Sequence, residues 1–167
     1  PMFTTKMPSA TLLLKDLPAK TFIGLDLVSF NSSPKFTGIK NLSTGFHFLY
    51  CGTDASLAIR HGHWFYIPTA TNATTVQFLT WQWNAKDEAL EWVSRATVPE
   101  IQAPVHVSPV QQSGLINYQT LLDASADVQR EDDKSDADDW NLLASHISSH
   151  LLYRVFPGSE TVRPWSI

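Results

Sequence analysis

The chain has 167 residues, 43% apolar and 17% charged, with a net charge of −4. That length suits one domain, and the apolar fraction is sufficient for a packed core, which excludes a wholly disordered chain. Unbroken apolar runs are short, as in Leu12-Leu13-Leu14 and Trp64-Phe65-Tyr66-Ile67, against the ~20 residues of a membrane helix.

The charge is unevenly placed. Residues 123–139 hold Asp123, Asp127, Glu131, Asp132, Asp133, Asp136, Asp138 and Asp139 against Arg130 and Lys134, so this stretch is −6 and the remainder +2. No basic stripe gathers elsewhere, which argues against nucleic-acid binding through a charged face. Cys51 is the single cysteine. It excludes an internal disulfide and every CxxC zinc pattern, and it points to a reducing compartment, the cytoplasm with the nucleus as a second location. No basic segment leads into an apolar one, so no secretory signal is expected, and residues 1–9 read as a cleavage scar and tail.

In chain order, residues 10–98 read as β-rich. Thr11 to Leu14 is a strand that stops at Asp16-Leu17-Pro18, and Thr21 to Leu27 is a second. Asn31-Ser32-Ser33-Pro34 is turn chemistry, because short polar side chains bond nearby backbone and proline presets φ. From Gly45 to Cys51, Phe46, Phe48 and Tyr50 alternate with His47, Leu49 and Cys51, the period of a sheet. His63 to Ile67 is an aromatic strand ended by Pro68. Thr75 to Trp83 carries large apolar groups on both faces, as a central strand does. Asn84 to Asp87 reads as a hairpin turn into Ala89 to Val93, with a helical turn or two as the alternative for that last segment.

Residues 97–114 then space Pro99, Pro104 and Pro109 five apart, which predicts an extended connector or edge strand. Residues 123–138 predict a solvated acidic loop, because like charges at that density repel. Over about 139–156, Trp140, Leu143, Ala144, Ile147, Leu151 and Val155 recur at helical steps, with Asp138 or Asp139 as cap and Pro157-Gly158 as stop. The expected architecture is mainly β with a C-terminal helix (α+β), an antiparallel β-sandwich-like domain over residues 10–167.

Chemistry finds little purchase. His61-Gly62-His63 and His146-x-x-x-His150 have metal-like spacings, but the helical pair has Ile147 where a metalloprotease carries glutamate, so no metal or cofactor is expected. No G-x-S-x-G elbow, P-loop or G-x-G-x-x-G is present. Cys51 reads as a small buried hydrophobe, and Asp26 with Asp54 is a carboxylate pair of a kind any β domain offers. The chain is therefore expected not to be an enzyme. The alternative function is a small-molecule or glycan-binding module that stacks its ligand on Trp81, Trp83 and Trp64; indoles filling a core explain the same residues.

Three ordered segments carry a more specific signal: Gly24-Leu25-Asp26-Leu27-Val28-Ser29-Phe30, Pro34-Lys35-Phe36-Thr37-Gly38-Ile39-Lys40, and Gly45-Phe46-His47-Phe48-Leu49-Tyr50. Together with Arg60-His61-Gly62-His63-Trp64-Phe65 and the strand before Pro18, they resemble the N-terminal domain of the a1–alpha2 repression family, assembly factors of the spliceosomal U5 small nuclear ribonucleoprotein. The resemblance implies a β-sandwich-like domain followed by a larger helical domain. It also implies a non-enzymatic role: binding the central U5 scaffold protein through its RNase H-like domain and its MPN-type domain, and delaying helicase docking, without direct nucleic acid or membrane contact. The matching residues Gly24, Asp26, Phe30, Pro34, Phe36, Gly38, Lys40, Gly45, His47, Phe48, Trp64 and Phe65 are expected to hold the fold together. Phe36, Phe46 and Phe48 are the expected core anchors, Asp26 a bond to turn backbone, and the glycines sites of positive φ or close approach. Tyr66, Arg95 and Trp165 are the candidate partner contacts.

Overall fold

The computed structural model describes residues 10–52, 59–69, 74–128 and 164–166. Among these, the strands are β1 (Ala10–Lys15), β2 (Phe22–Leu25), β3 (Val28–Asn31), β4 (Gly38–Leu42), β5 (Gly45–Gly52), β6 (Ile59–Ile67), β7 (Thr75–Asn84), β8 (Ala89–Pro99), β9 (Leu115–Asn117) and β10 (Trp165–Ser166). The helices are α1 (Ala103–His106), α2 (Pro109–Ser113) and α3 (Tyr118–Val128), with a 3-10 turn at Glu100–Gln102. The strands form two sheets, β8-β7-β1-β4-β9 and β10-β6-β5-β2-β3. The chain is thus mainly β, as the periodicity predicts, with two parallel pairings, β1 with β7 and β4 with β9, inside the first sheet.

The inner faces of the two sheets make one core. Leu12, Leu14, Ile39, Leu79 and Trp81 come from the first sheet, and Ile23, Leu25, Leu49, Cys51, Phe65 and Ile67 from the second. Trp81 and Phe65 meet edge to face across the gap, with centroids 5.2 Å apart. The run Leu12-Leu13-Leu14 is unbroken because β1 is covered on both faces. Leu13 turns away from the main core and packs with Phe78, Val98 and Val107 in a second, smaller cluster.

The proline-bearing segment that closes over this second cluster corrects one expectation. Residues 97–114 are not an extended connector: after β8 they fold into short helices. Pro104 and Pro109 sit in the first turns of α1 and α2, where the missing N–H would have no helical acceptor and the fixed φ suits the helix. Ser108 caps α2 by accepting from the Gln111 N–H, while the Gln111 side chain accepts from the Ser108 N–H.

Two further boundaries differ from the sequence reading. Thr21 to Leu27 is not one strand, because the chain reverses at Asp26-Leu27 between the paired residues Leu25 and Val28. The acidic stretch begins on α3, which carries Asp123 and Asp127. Asp123 is exposed on that helix, where a carboxylate is solvated without needing a loop. The expected helix at about 139–156 and the rest of the acidic stretch lie outside the described residues. Ala89 to Val93 is the returning arm of a β7–β8 hairpin, whose turn is held by the Asn84 side chain accepting from the Lys86 and Asp87 N–H groups.

Candidate functional site

Asp26 occupies the turn between β2 and β3 with φ of 57°, a left-handed conformation that aspartate tolerates better than most residues. Its amide donates to the Phe48 carbonyl, and this places the carboxylate inside the sandwich. There Oδ1 accepts from the Phe48 N–H at 2.9 Å. Oδ2 accepts from His47 Nδ1 at 2.8 Å and from the Tyr118 hydroxyl at 2.5 Å. Three polar partners thus converge on one carboxyl group.

His47 reaches the cluster because β5 alternates, and the inner face receives His47, Leu49 and Cys51. Its second ring nitrogen, Nε2, lies 2.7 Å from the Ser43 carbonyl oxygen, which only accepts. Nε2 therefore donates to that oxygen, and with Nδ1 facing the Asp26 carboxyl the site favours the protonated ring. Burial opposes this charge, but the Asp26 carboxylate and the Ser43 carbonyl outweigh it and raise the His47 pKa above the ordinary value. Phe65 stacks on the ring at 5.5 Å and Tyr118 meets it edge on at 5.6 Å. Burial, then the neighbouring Asp26 charge, pushes the Tyr118 hydroxyl far above its ordinary pKa.

This constellation brings together an acid, a base and a hydroxyl, yet every polar atom in it is spent. The hydroxyl donates to the carboxylate, not to the imidazole, and both ring nitrogens are occupied. What the arrangement does is join the β2–β3 turn, β5 and the first residue of α3 in one charged, water-excluded knot. Sequence reasoning found Asp26 and His47 but missed Tyr118, 92 positions from its partner. Its one signal is its place directly after the short segment Leu115-Ile116-Asn117, which periodicity does not separate from any surface tyrosine.

The other motif residues sit around this knot. Phe30 meets Phe36 edge to face at 5.2 Å, and Phe36 enters the core. Pro34 is exposed in the turn before Phe36, and Lys40 is exposed on β4. Gly38 pairs with Leu13, and a Cβ there would lie 2.0 Å from the Leu12 carbonyl oxygen. Gly45 opens β5 with φ of 111°, which glycine alone adopts readily.

Phe46 and Phe48 are not core anchors. They share the outer face of β5 with Tyr50, half-buried, because the same alternation that buries His47 turns them outward. They form an aromatic layer: Phe46 packs on Tyr66 at 4.9 Å, Phe48 on Trp64 at 5.0 Å and Tyr50 on Phe48 at 5.6 Å. Glycines on neighbouring strands seat two of the rings. A Cβ on Gly24 would lie 1.8 Å from the Tyr50 ring, and one on Gly62 2.3 Å from the Phe48 ring.

The remaining candidates separate. Trp81 is fully buried and offers no stacking face, and Trp83 is half-buried against the core, so the proposed Trp81–Trp83 ligand platform does not form. Indole rings of this size are worth more to the core than to solvent. Arg95 spans the two sheets, donating to the Gln77 side chain and to the Tyr66 carbonyl. Trp165 pairs by backbone with Trp64. Cys51 is buried, and burial pushes its thiol pKa up. His63 faces inward near Trp81; the side chain of His61, and Asp54, His146 and His150, lie outside the described residues. Among the described residues no group of three or more potential ligands could hold a metal ion.

Comparison with known proteins adds one match. The family model described as the AAR2 N-terminal domain covers residues 8–157. No curated protein matches the chain.

Proposed function

Because the chain belongs to the AAR2 N-terminal domain family, whose role is assembly of the U5 small nuclear ribonucleoprotein, we propose that it is a non-enzymatic binding module that grips the central U5 scaffold protein. The RNase H-like domain of that scaffold is the primary contact and the MPN-type domain a secondary one. Holding them delays docking of the particle's helicase. The motif shared with the family, centred on Asp26 and His47, builds the platform and does not touch the partner. The work is done in the cytoplasm and the nucleus, where a lone reduced cysteine is at home.

The family match over nearly the whole chain carries this reading. The internal chemistry supports it: the buried cluster of Asp26, His47 and Tyr118 has no unspent donor or acceptor with which to act on a substrate. Isothermal titration of the chain with the RNase H-like domain tests it. A complex with Kd of about 10 μM or tighter is expected; no heat at that concentration sinks the proposal.

A further inference from the structure

The outer face of the second sheet is paved with aromatic rings. Phe46 packs on Tyr66, and Phe48 on both Trp64 and Tyr50. Phe22 of β2 joins them through Tyr50, with centroids 6.4 Å apart. Phe22 is only 9% exposed and the others are half-buried, although their strands give Ile23, Leu25, Leu49 and Phe65 to the core on the opposite face. A contiguous apolar face of this kind marks an interaction surface.

The outer face of the first sheet has its own cover: Val107 and Ala103 pack on Leu13, Phe78 and Val98, and the His106 ring stacks on Phe78 at 5.9 Å. The course of the chain supplies a cover for the second sheet. α3 packs against β3, which is one edge of that sheet, whereas β10 is its other edge, beside β6. Residues 129–164 therefore carry the chain from one edge of the sheet to the other. The inner face is closed to them because the core fills it, and the outer face is the direct route.

The sequence of that connection fits the task. Trp140, Leu143, Ala144, Ile147, Leu151 and Val155 recur at helical steps, with Ser145 and Ser149 on the opposite side, and such a stripe must be buried against another element. As a helix, residues 139–156 measure about 27 Å, enough to cross the roughly 19 Å width of a five-stranded sheet. A segment tethered at both ends also meets this face at an effective concentration in the millimolar range, which favours it over a second copy of the chain. We infer that residues 139–156 form a helix whose apolar stripe packs on the outer aromatic layer of β5 and β6. The layer is then an internal interface, not a stacking platform for a ligand, and a partner protein binds the chain elsewhere.

Photo-cross-linking of the full chain tests this, with p-benzoylphenylalanine in place of Ile147 on the stripe or of Ser149 on the opposite side. The expected result is an intramolecular cross-link from position 147 into residues 46–50 or 62–66, mapped by mass spectrometry, in clear excess over position 149. Cross-links from 147 into β7, β8 or α1 place the segment on the first sheet and overturn the inference. A cross-linked dimer assigns the aromatic face to a second copy and overturns it too, as do equal yields from the two positions or no cross-link at all. Should the Ile147 variant fail to fold, the same replacement at Leu151, on the same stripe, carries the comparison. The outcome is independent of the assembly-factor reading, which stands or falls by titration with the RNase H-like domain.

Discussion

His47 Nδ1 lies 2.8 Å from Asp26 Oδ2, and each side chain is 2% exposed. A charged pair this deep is held only because its remaining atoms are bonded too: Ser43 takes the second imidazole hydrogen, and Phe48 and Tyr118 donate to the carboxylate. Removing one partner strands the other without water, which costs far more than the pair contributes net.

Asp26→Ala should therefore lower unfolding free energy by about 3–5 kcal/mol. Asp26→Asn should cost less, because asparagine tolerates the left-handed turn and keeps an acceptor for the Phe48 amide. Urea denaturation of the two variants checks the order; equal losses would show that the buried charge, which both variants remove, and not the turn conformation sets the cost.

The pH dependence follows from the sign of the His47 shift. Its pKa is raised on folding above the ordinary 6.5, so the folded state holds its proton more tightly than the unfolded chain. The stabilisation is complete below pH 6.5 and is lost as pH rises from there through the folded value. Urea midpoints from pH 5.5 to 9 should fall in that window for the unaltered protein, and His47→Gln should remove that part of the decline.

Tyr118→Phe deletes one donor to Asp26 and the tie between α3 and the sheets. A loss of about 1–3 kcal/mol is expected. Hydrogen exchange should accelerate in α3 while β5 and β6 keep their protection; uniform acceleration would mean that the tyrosine supports the whole sandwich and not the helix alone.

The glycine seats predict a contrast. Gly24→Ala collides with the half-buried Tyr50 ring, which can swing outward, whereas Gly38→Ala collides with the Leu12 backbone carbonyl, which cannot. Gly38→Ala should be the more damaging change by about 1 kcal/mol or more. Pairing Gly24→Ala with Tyr50→Ala should be non-additive, because the second change removes the obstacle.

Cys51 should resist iodoacetamide under native conditions, since its thiol is buried and its pKa raised. Labelling monitored by mass spectrometry should proceed only as fast as the protein opens, and should accelerate in urea.

The sequence by itself determined the strands whose side chains alternate, the two-sided burial of β7, and the hairpin turn at Asn84, because period, apolar content and turn chemistry are local properties. It also marked Asp26 and His47 as members of one motif. Only the tertiary structure decided which face of β5 is inner: alternation sorts Phe46 and Phe48 from His47 and Leu49 but cannot say which set meets the other sheet. Hydrophobicity argued for the phenylalanines, and the buried charge pair reversed the answer. The arrival of Tyr118 at Asp26 was likewise beyond local reading, because a contact across 92 positions is set by how the sheets stack, not by the residues beside it.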